Sequence, residues 1–190
     1  ILAEHRATLG FRGFFDLADA LMESGKYEEA CFAIHFVKGF KKEFGPDTVE
    51  RIGRWFDGRV INWATSDSLC GNFLAPLLAK GVVSLETYAP WRSAVDRFKR
   101  RAVPVAMLDL LKSEFDPKPL LEFVRPLMMD SERVVHQGLG WFLREIWKKS
   151  RAETEQFLLE WKNSAPRLIF QYATEKMTPE QKARFRKEKL

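Results

Sequence analysis

Apolar residues recur at intervals of three and four along nearly the whole chain, as in Phe11, Phe14, Phe15, Ala18, Leu21 and Met22. That period matches one buried face of an α-helix, and no stretch sustains the alternation that a half-buried strand requires. The pattern predicts an all-α chain. Breaks fall at Ser24-Gly25, Gly45-Pro46-Asp47, Asp57-Gly58, Gly81, Asp116-Pro117, Asp130-Ser131, Ala165-Pro166 and Thr178-Pro179, leaving helices of about 10 to 18 residues. Pro46, Pro117, Pro166 and Pro179 suit first-turn positions, where a missing N–H costs nothing, and Thr178 suits an N-cap. Pro104 falls inside a helical pattern and should kink or break it.

Pairing neighbouring helices gives hairpins near 11–43, 47–80, 84–112, 117–149 and 152–175. Each is about 25 to 35 residues, the period of a helical-repeat array. A compact bundle would produce a similar pattern, but the even lengths and short loops favour an α-α superhelix, a curved solenoid of HEAT-like hairpins. With 190 residues and 46% hydrophobic content, one domain spanning 1–190 with a continuous core is expected. The apolar run from Phe73 to Leu78 is far below the roughly 20 residues of a membrane span, and nothing reads as a secretory signal. A cytoplasmic monomer is the expectation, although Ile1 leaves open whether residue 1 is the natural start.

The formal charge of +5 permits an anionic partner, and its distribution matters more than its size. Between Arg92 and Arg101 the cations Arg92, Arg97, Lys99, Arg100 and Arg101 face one acid, Asp96. With Trp91 and Phe98 interleaved, the segment combines attraction to phosphates with an indole able to pack on a sugar or a distorted base. The basic tail from Lys182 to Lys189 reads as a solvated, frayed helix without a function. Cys31 and Cys70 are too few for a disulfide framework and read as reduced, buried thiols. His5, His35 and His136 lie far apart, and Cys31 with His35 makes only half a metal site, so neither metal nor cofactor is expected. Phosphate loops, dinucleotide fingerprints, HExxH and nucleophile elbows are absent.

The Trp91 segment, WRSAVDRFKRRA, resembles the W-x3-acid-N-x-W-x-R-R stretch of the AlkD-like DNA alkylation-repair glycosylases, with Phe98 at the second aromatic and Arg100-Arg101 at the basic pair. Val134 to Glu145, VVHQGLGWFLRE, is similar to that family's F-[VI]-Q-K-A-I-G-W-x-L-R-E helix, with the GWxLRE core intact. Asn62 to Leu69, NWATSDSL, resembles its W-D-x-x-D-S segment, and Ala165 to Lys176 its closing helix. The four occur in family order over roughly residues 25 to 176.

The resemblance implies a curved stack of hairpins that grips duplex DNA and excises N3- and N7-alkylated purines by hydrolysing the glycosidic bond, without a base-flipping pocket. It implies a carboxylate beside the deoxyribose with a tryptophan packed against it. Alkylation makes the base a good leaving group, so such an enzyme need mainly stabilise an oxocarbenium-like sugar and position water. Counted from Trp91, the family's acidic position is Val95, which leaves Asp96 as the candidate stabiliser, Trp91 at the lesion, and Arg92, Arg97, Lys99, Arg100 and Arg101 on phosphates. Gln137 replaces the family's lysine and Gln171 its arginine. A DNA-binding relative without catalysis and a protein-interaction solenoid stand as alternatives; a positive concave face containing Trp91 favours the two DNA readings, whereas Trp91 buried in the core sinks both. Structural roles are also expected: close helix approach at Gly138 and Gly140, core positions for Trp141 and Leu143, an Arg144–Glu145 ion pair, and Asp67 and Ser68 as a helix N-cap or as ligands.

Overall fold

The structure is a computed structural model that describes residues 1–188. Among these residues every regular element is helical: α1 (Leu2–Glu23), α2 (Tyr27–Lys38), α3 (Pro46–Trp55), α4 (Trp63–Leu69), α5 (Ala75–Ala79), α6 (Arg97–Ala106), α7 (Pro117–Val124), α8 (Arg133–Trp147), α9 (Arg151–Trp161), α10 (Arg167–Ala173) and α11 (Pro179–Ala183). A π-turn (Cys70–Leu74) joins α4 to α5, and 3₁₀ segments cover Leu85–Ser93, Met107–Lys112 and Arg125–Met129. The helices pack in a solenoid-like arrangement. The even-numbered helices α2, α4, α6, α8 and α10 contact one another in succession and form an inner row, with α1 against α2 and α9 against α7 and α8 outside it.

The proline positions follow from backbone chemistry. Pro46, Pro117 and Pro179 are first residues of their helices, and Pro166 is the N-cap of α10. Thr178 caps α11 in a reciprocal box with Gln181. Pro104 departs from expectation: α6 continues through it to Ala106 before tightening into the 3₁₀ turn at Met107. Helix α1 starts nine residues before the expected hairpin. It is broken at Gly10, whose φ of 58° suits glycine. The preceding turns lie on the end of α2, with the Arg6 guanidinium 4.2 Å from the Phe40 ring centroid.

One continuous core runs from Phe15 to Phe185, and Phe14, Phe36 and Phe40 form a smaller cluster under α1 and α2. Helix α8 approaches its neighbours closely at its glycines. A Cβ on Gly140 would lie 2.5 Å from Tyr172 Cβ, and one on Gly138 3.0 Å from Arg101 Cγ. Leu143 is core, as expected, whereas Trp141 is only half-buried.

The tail is docked rather than frayed. Phe185 is buried, Arg167 donates to its carbonyl at 2.9 Å, and Arg184 and Glu188 bond to Glu155 and Asn163; Lys189 lies outside the described residues. Cys70 is buried but Cys31 is exposed, because α2 turns that face outward. No helix of the described residues is long and apolar enough to cross a membrane.

Candidate functional site

Most of the basic segment singled out in the sequence is engaged in holding the fold. Trp91 is 8% exposed, with its ring 5.6 Å from Phe56 and 5.3 Å from Tyr88. Asp96 is the N-cap of α6, its Oδ1 accepting from the backbone N–H groups of Phe98 at 2.8 Å and Lys99 at 2.9 Å. Arg92 donates to the carbonyls of Ala89 and Phe123 and covers the Phe123 ring. Lys99 reaches Asp57 at 2.7 Å. Arg100 forks onto Asp130 at 2.6 and 3.2 Å and donates to the Ala94 and Val95 carbonyls. Only Arg97 is exposed and makes no ion pair among the described residues; its guanidinium lies over Phe98. Val95 is wholly exposed.

Arg101 leads to a different place. Its Nε donates to Asp67 Oδ1 at 2.9 Å, its Nη2 to Asp67 Oδ2 at 2.8 Å, and its Nη1 to the Val134 carbonyl at 2.7 Å. This fork pins α6 to α4 and α8 at the floor of a cleft of about 470 Å3. Four successive inner helices line it: Trp63 and Asp67 from α4, Arg101 from α6, Gln137, Trp141 and Arg144 from α8, and Tyr172 from α10. Asn62 starts α4, its side chain accepting from Thr65 N at 2.8 Å. That cap puts Asp67 inside the helix rather than at its start, contrary to the N-cap reading of Asp67 and Ser68. Trp63 and Asp67, four residues apart, then share a face, as do Gln137, Trp141 and Arg144.

The indole of Trp63 is 61% exposed, an unusual condition for so large an apolar group away from a binding surface. Trp141 faces the same cleft. The carboxylate of Asp67 keeps lone pairs free beyond the two bonds from Arg101. Gln137 Nε2 donates to the Tyr172 hydroxyl at 2.9 Å. Arg144 pairs with Glu145 at 3.0 Å, as expected, and with Glu175. Burial works to raise the Glu145 carboxyl, but hydrogen bonds from Lys148 and Arg144 outweigh it and hold the group below its ordinary value. Burial pushes the Cys70 thiol well up, which leaves it an unreactive packing group. No three His, Cys, Asp or Glu side chains of the described residues gather as a metal site.

Trp63, Trp141 and Tyr172 are not among the expected site residues, and Asp67 enters the expectations only as a helix N-cap or a ligand. The signal was present in NWATSDSL, a tryptophan and an acid four apart behind an asparagine cap. The WRSAV segment does not share its geometry, since Trp91 lies in a 3₁₀ segment and Ala94–Asp96 is non-helical.

No curated protein matches the sequence. The family described as DNA alkylation repair enzyme matches residues 2–177. That match runs from the first residue of α1 past the end of α10, and the chain therefore belongs to the DNA alkylation repair enzyme family.

Proposed function

We propose that the chain is a DNA glycosylase that releases N3- and N7-alkylated purines, with its chemistry at Asp67 between Trp63 and Trp141 rather than at Asp96 and Trp91. The observation that carries this reading is one carboxylate, oriented by a buried guanidinium fork, in a cleft flanked by two accessible indoles. Flat indole faces pack on the apolar faces of a deoxyribose. As the C1′–N9 bond breaks, its electron pair passes to the purine and neutralises the positive charge that alkylation placed on the ring. The positive charge that develops on the sugar is met by Asp67. Water then adds to C1′, and its proton passes through Asp67 to solvent. Arg101 fixes the carboxylate in one rotamer before substrate arrives, so little reorganisation is needed in the transition state.

Phosphate contact falls in this reading to Arg97 and to Arg133, exposed cations at the first residues of α6 and α8 that make no ion pair among the described residues. Arg92, Lys99, Arg100 and Arg101 are bonded to carbonyls and carboxylates of the chain itself. The buried Trp91 counts against its own contact with a lesion. It also goes against the DNA readings as the sequence placed them, on Trp91; what supports a DNA reading is instead the family match and the exposed Trp63 of the α4 cleft.

The test is release of N7-methylguanine and N3-methyladenine from methylated duplex DNA by wild type, Asp67→Asn, Trp141→Ala and Asp96→Asn, each shown to be folded. The expected result is a fall of about 10² to 10³ in Asp67→Asn, comparable to losing a preorganised electrostatic group, and a minor change in Asp96→Asn. Wild type that binds DNA but releases no base would establish the binding-only relative. Wild type that does neither would favour the protein-interaction solenoid.

A further inference from the structure

The cleft does not end at Trp141. Asp67 and Trp141 also line a second cavity of about 390 Å3 that continues along the inner row, within the size range of small-molecule sites, about 300 to 1,000 Å3. Its floor is Val105 and Leu108, and Gly71 lies on the α4 side. Asp109 and Glu145 close it with Lys112 and Lys148.

Two features distinguish this cavity from a gap between helices. Gly71 falls within the π-turn, and turns of that kind recur at functional sites. Its backbone does not require glycine, since its φ is not in the left-handed region, and a Cβ there would meet no atom within 4 Å. A helix-interior glycine is unfavourable by about 1 kcal/mol relative to alanine, so neither packing nor conformation accounts for it. Gly71 is exposed, and its missing side chain leaves the cavity open on the α4 side.

The charges restrict the ligand. Lys112 is paired with Asp109 at 2.6 Å, Lys148 with Glu145 at 2.7 Å, and Lys149 donates to the Leu111 carbonyl. The three lysines face three carboxylates, Asp67, Asp109 and Glu145, so the lining carries no excess positive charge to hold a phosphate. An indole wall and an apolar floor ending in paired acids and cations suit a flat, uncharged heterocycle with N–H and C=O groups on its edge.

We infer that this cavity is a binding site for a free alkylated purine base, the product released in the adjoining cleft. The inference rests on the glycosylase reading for the source of the base, but binding itself requires neither DNA nor turnover. Calorimetric titration of the protein with 7-methylguanine, and separately with 7-methylguanosine 5′-monophosphate, tests it. The expected result is saturable one-to-one binding of the base and at least tenfold weaker binding of the nucleotide. Gly71→Ala should keep the base site, whereas Gly71→Phe and Asp109→Asn should each weaken binding tenfold or more. Asp109 is partly exposed, so its variant serves if Gly71→Phe does not fold. No saturable binding of the base, binding unchanged in both Gly71→Phe and Asp109→Asn, or a nucleotide that binds as tightly as the base would overturn the inference. Base release from DNA without free-base binding removes this site alone; free-base binding without release removes the glycosylase reading alone.

Discussion

Arg101 and Asp67 meet through two parallel hydrogen bonds, Nε to Oδ1 at 2.9 Å and Nη2 to Oδ2 at 2.8 Å, with the guanidinium almost fully buried. The pair joins α4 to α6, and the third bond of Arg101 to Val134 adds α8. One side chain thereby sets the spacing of three inner helices and the rotamer of the one carboxylate that lines the cleft among the described residues.

Removal of Arg101 should therefore damage fold and chemistry together. Arg101→Ala leaves a partly buried carboxylate and a backbone carbonyl without their donors, and breaking a buried pair in this way costs about 3–5 kcal/mol. Arg101→Lys keeps the charge but not the fork. The lysine variant should fold, recover part of the stability and release base more slowly than wild type. Urea unfolding and single-turnover base release on both variants check this. Equal stability of wild type and Arg101→Ala would show that the fork is not structural.

Asp96 should behave as a cap. Asp96→Ala removes the acceptor for two N–H groups of α6 and should lower stability by about 1 kcal/mol, the usual worth of an N-cap. Base release per folded molecule should change little. A loss comparable to that of Asp67→Asn would return the stabilising role to Asp96.

The two inner glycines should respond oppositely to the same substitution. At Gly140 an added Cβ would lie 2.8 Å from the Ile169 carbonyl oxygen as well as against Tyr172. Gly140→Ala must push α8 from α10, with a cost of about 1–3 kcal/mol for overpacking. Gly71→Ala meets nothing and should gain up to about 1 kcal/mol from the unfolded state. Midpoints of chemical unfolding decide both signs.

Glu145 links the inner row to acid sensitivity. Its folded carboxyl lies below the ordinary value of 4.5, so the unfolded chain takes up the proton first as pH falls. Its contribution to stability is present in full above about pH 4.5 and is lost as pH falls through the lower, folded value. Glu145→Gln should reduce stability at pH 7 and flatten its decline below pH 4.5. Denaturant titrations of both proteins at pH 7, 4.5 and 3.5 measure the difference.

The helical period of Phe11 to Met22, the first-turn prolines and the Thr178 cap made the fold legible, because each acts through near neighbours in the chain. The site was less legible for the opposite reason. Arg100 and Arg101 read as free cations until Asp130 and Asp67, some thirty residues away in either direction, are brought against them. A tryptophan followed four residues later by a candidate position occurs at both Trp63 and Trp91. Only in the first does a helix carry the spacing and put both groups on one face. After Trp91 the chain passes from a 3₁₀ segment into non-helical residues, which turns the indole into the core and Val95 into solvent.

That contrast makes the two tryptophans the most direct comparison. Trp91 fills the space between Phe56, Tyr88 and Gly53, where a Cβ on the glycine would lie 2.9 Å from its ring. Trp91→Ala should cost about 3–5 kcal/mol through the cavity it leaves, and its activity should fall in step with the folded fraction. Trp63 buries little, so Trp63→Ala should keep the unfolding midpoint within about 0.5 kcal/mol, as surface substitutions do. Its base release should nonetheless drop at least tenfold, because an indole face that packs on the sugar is gone. Release corrected for folded protein separates the two effects: a deficit that persists in Trp63→Ala and vanishes in Trp91→Ala assigns the chemistry to the α4 cleft, and the reverse pattern returns it to the segment before α6.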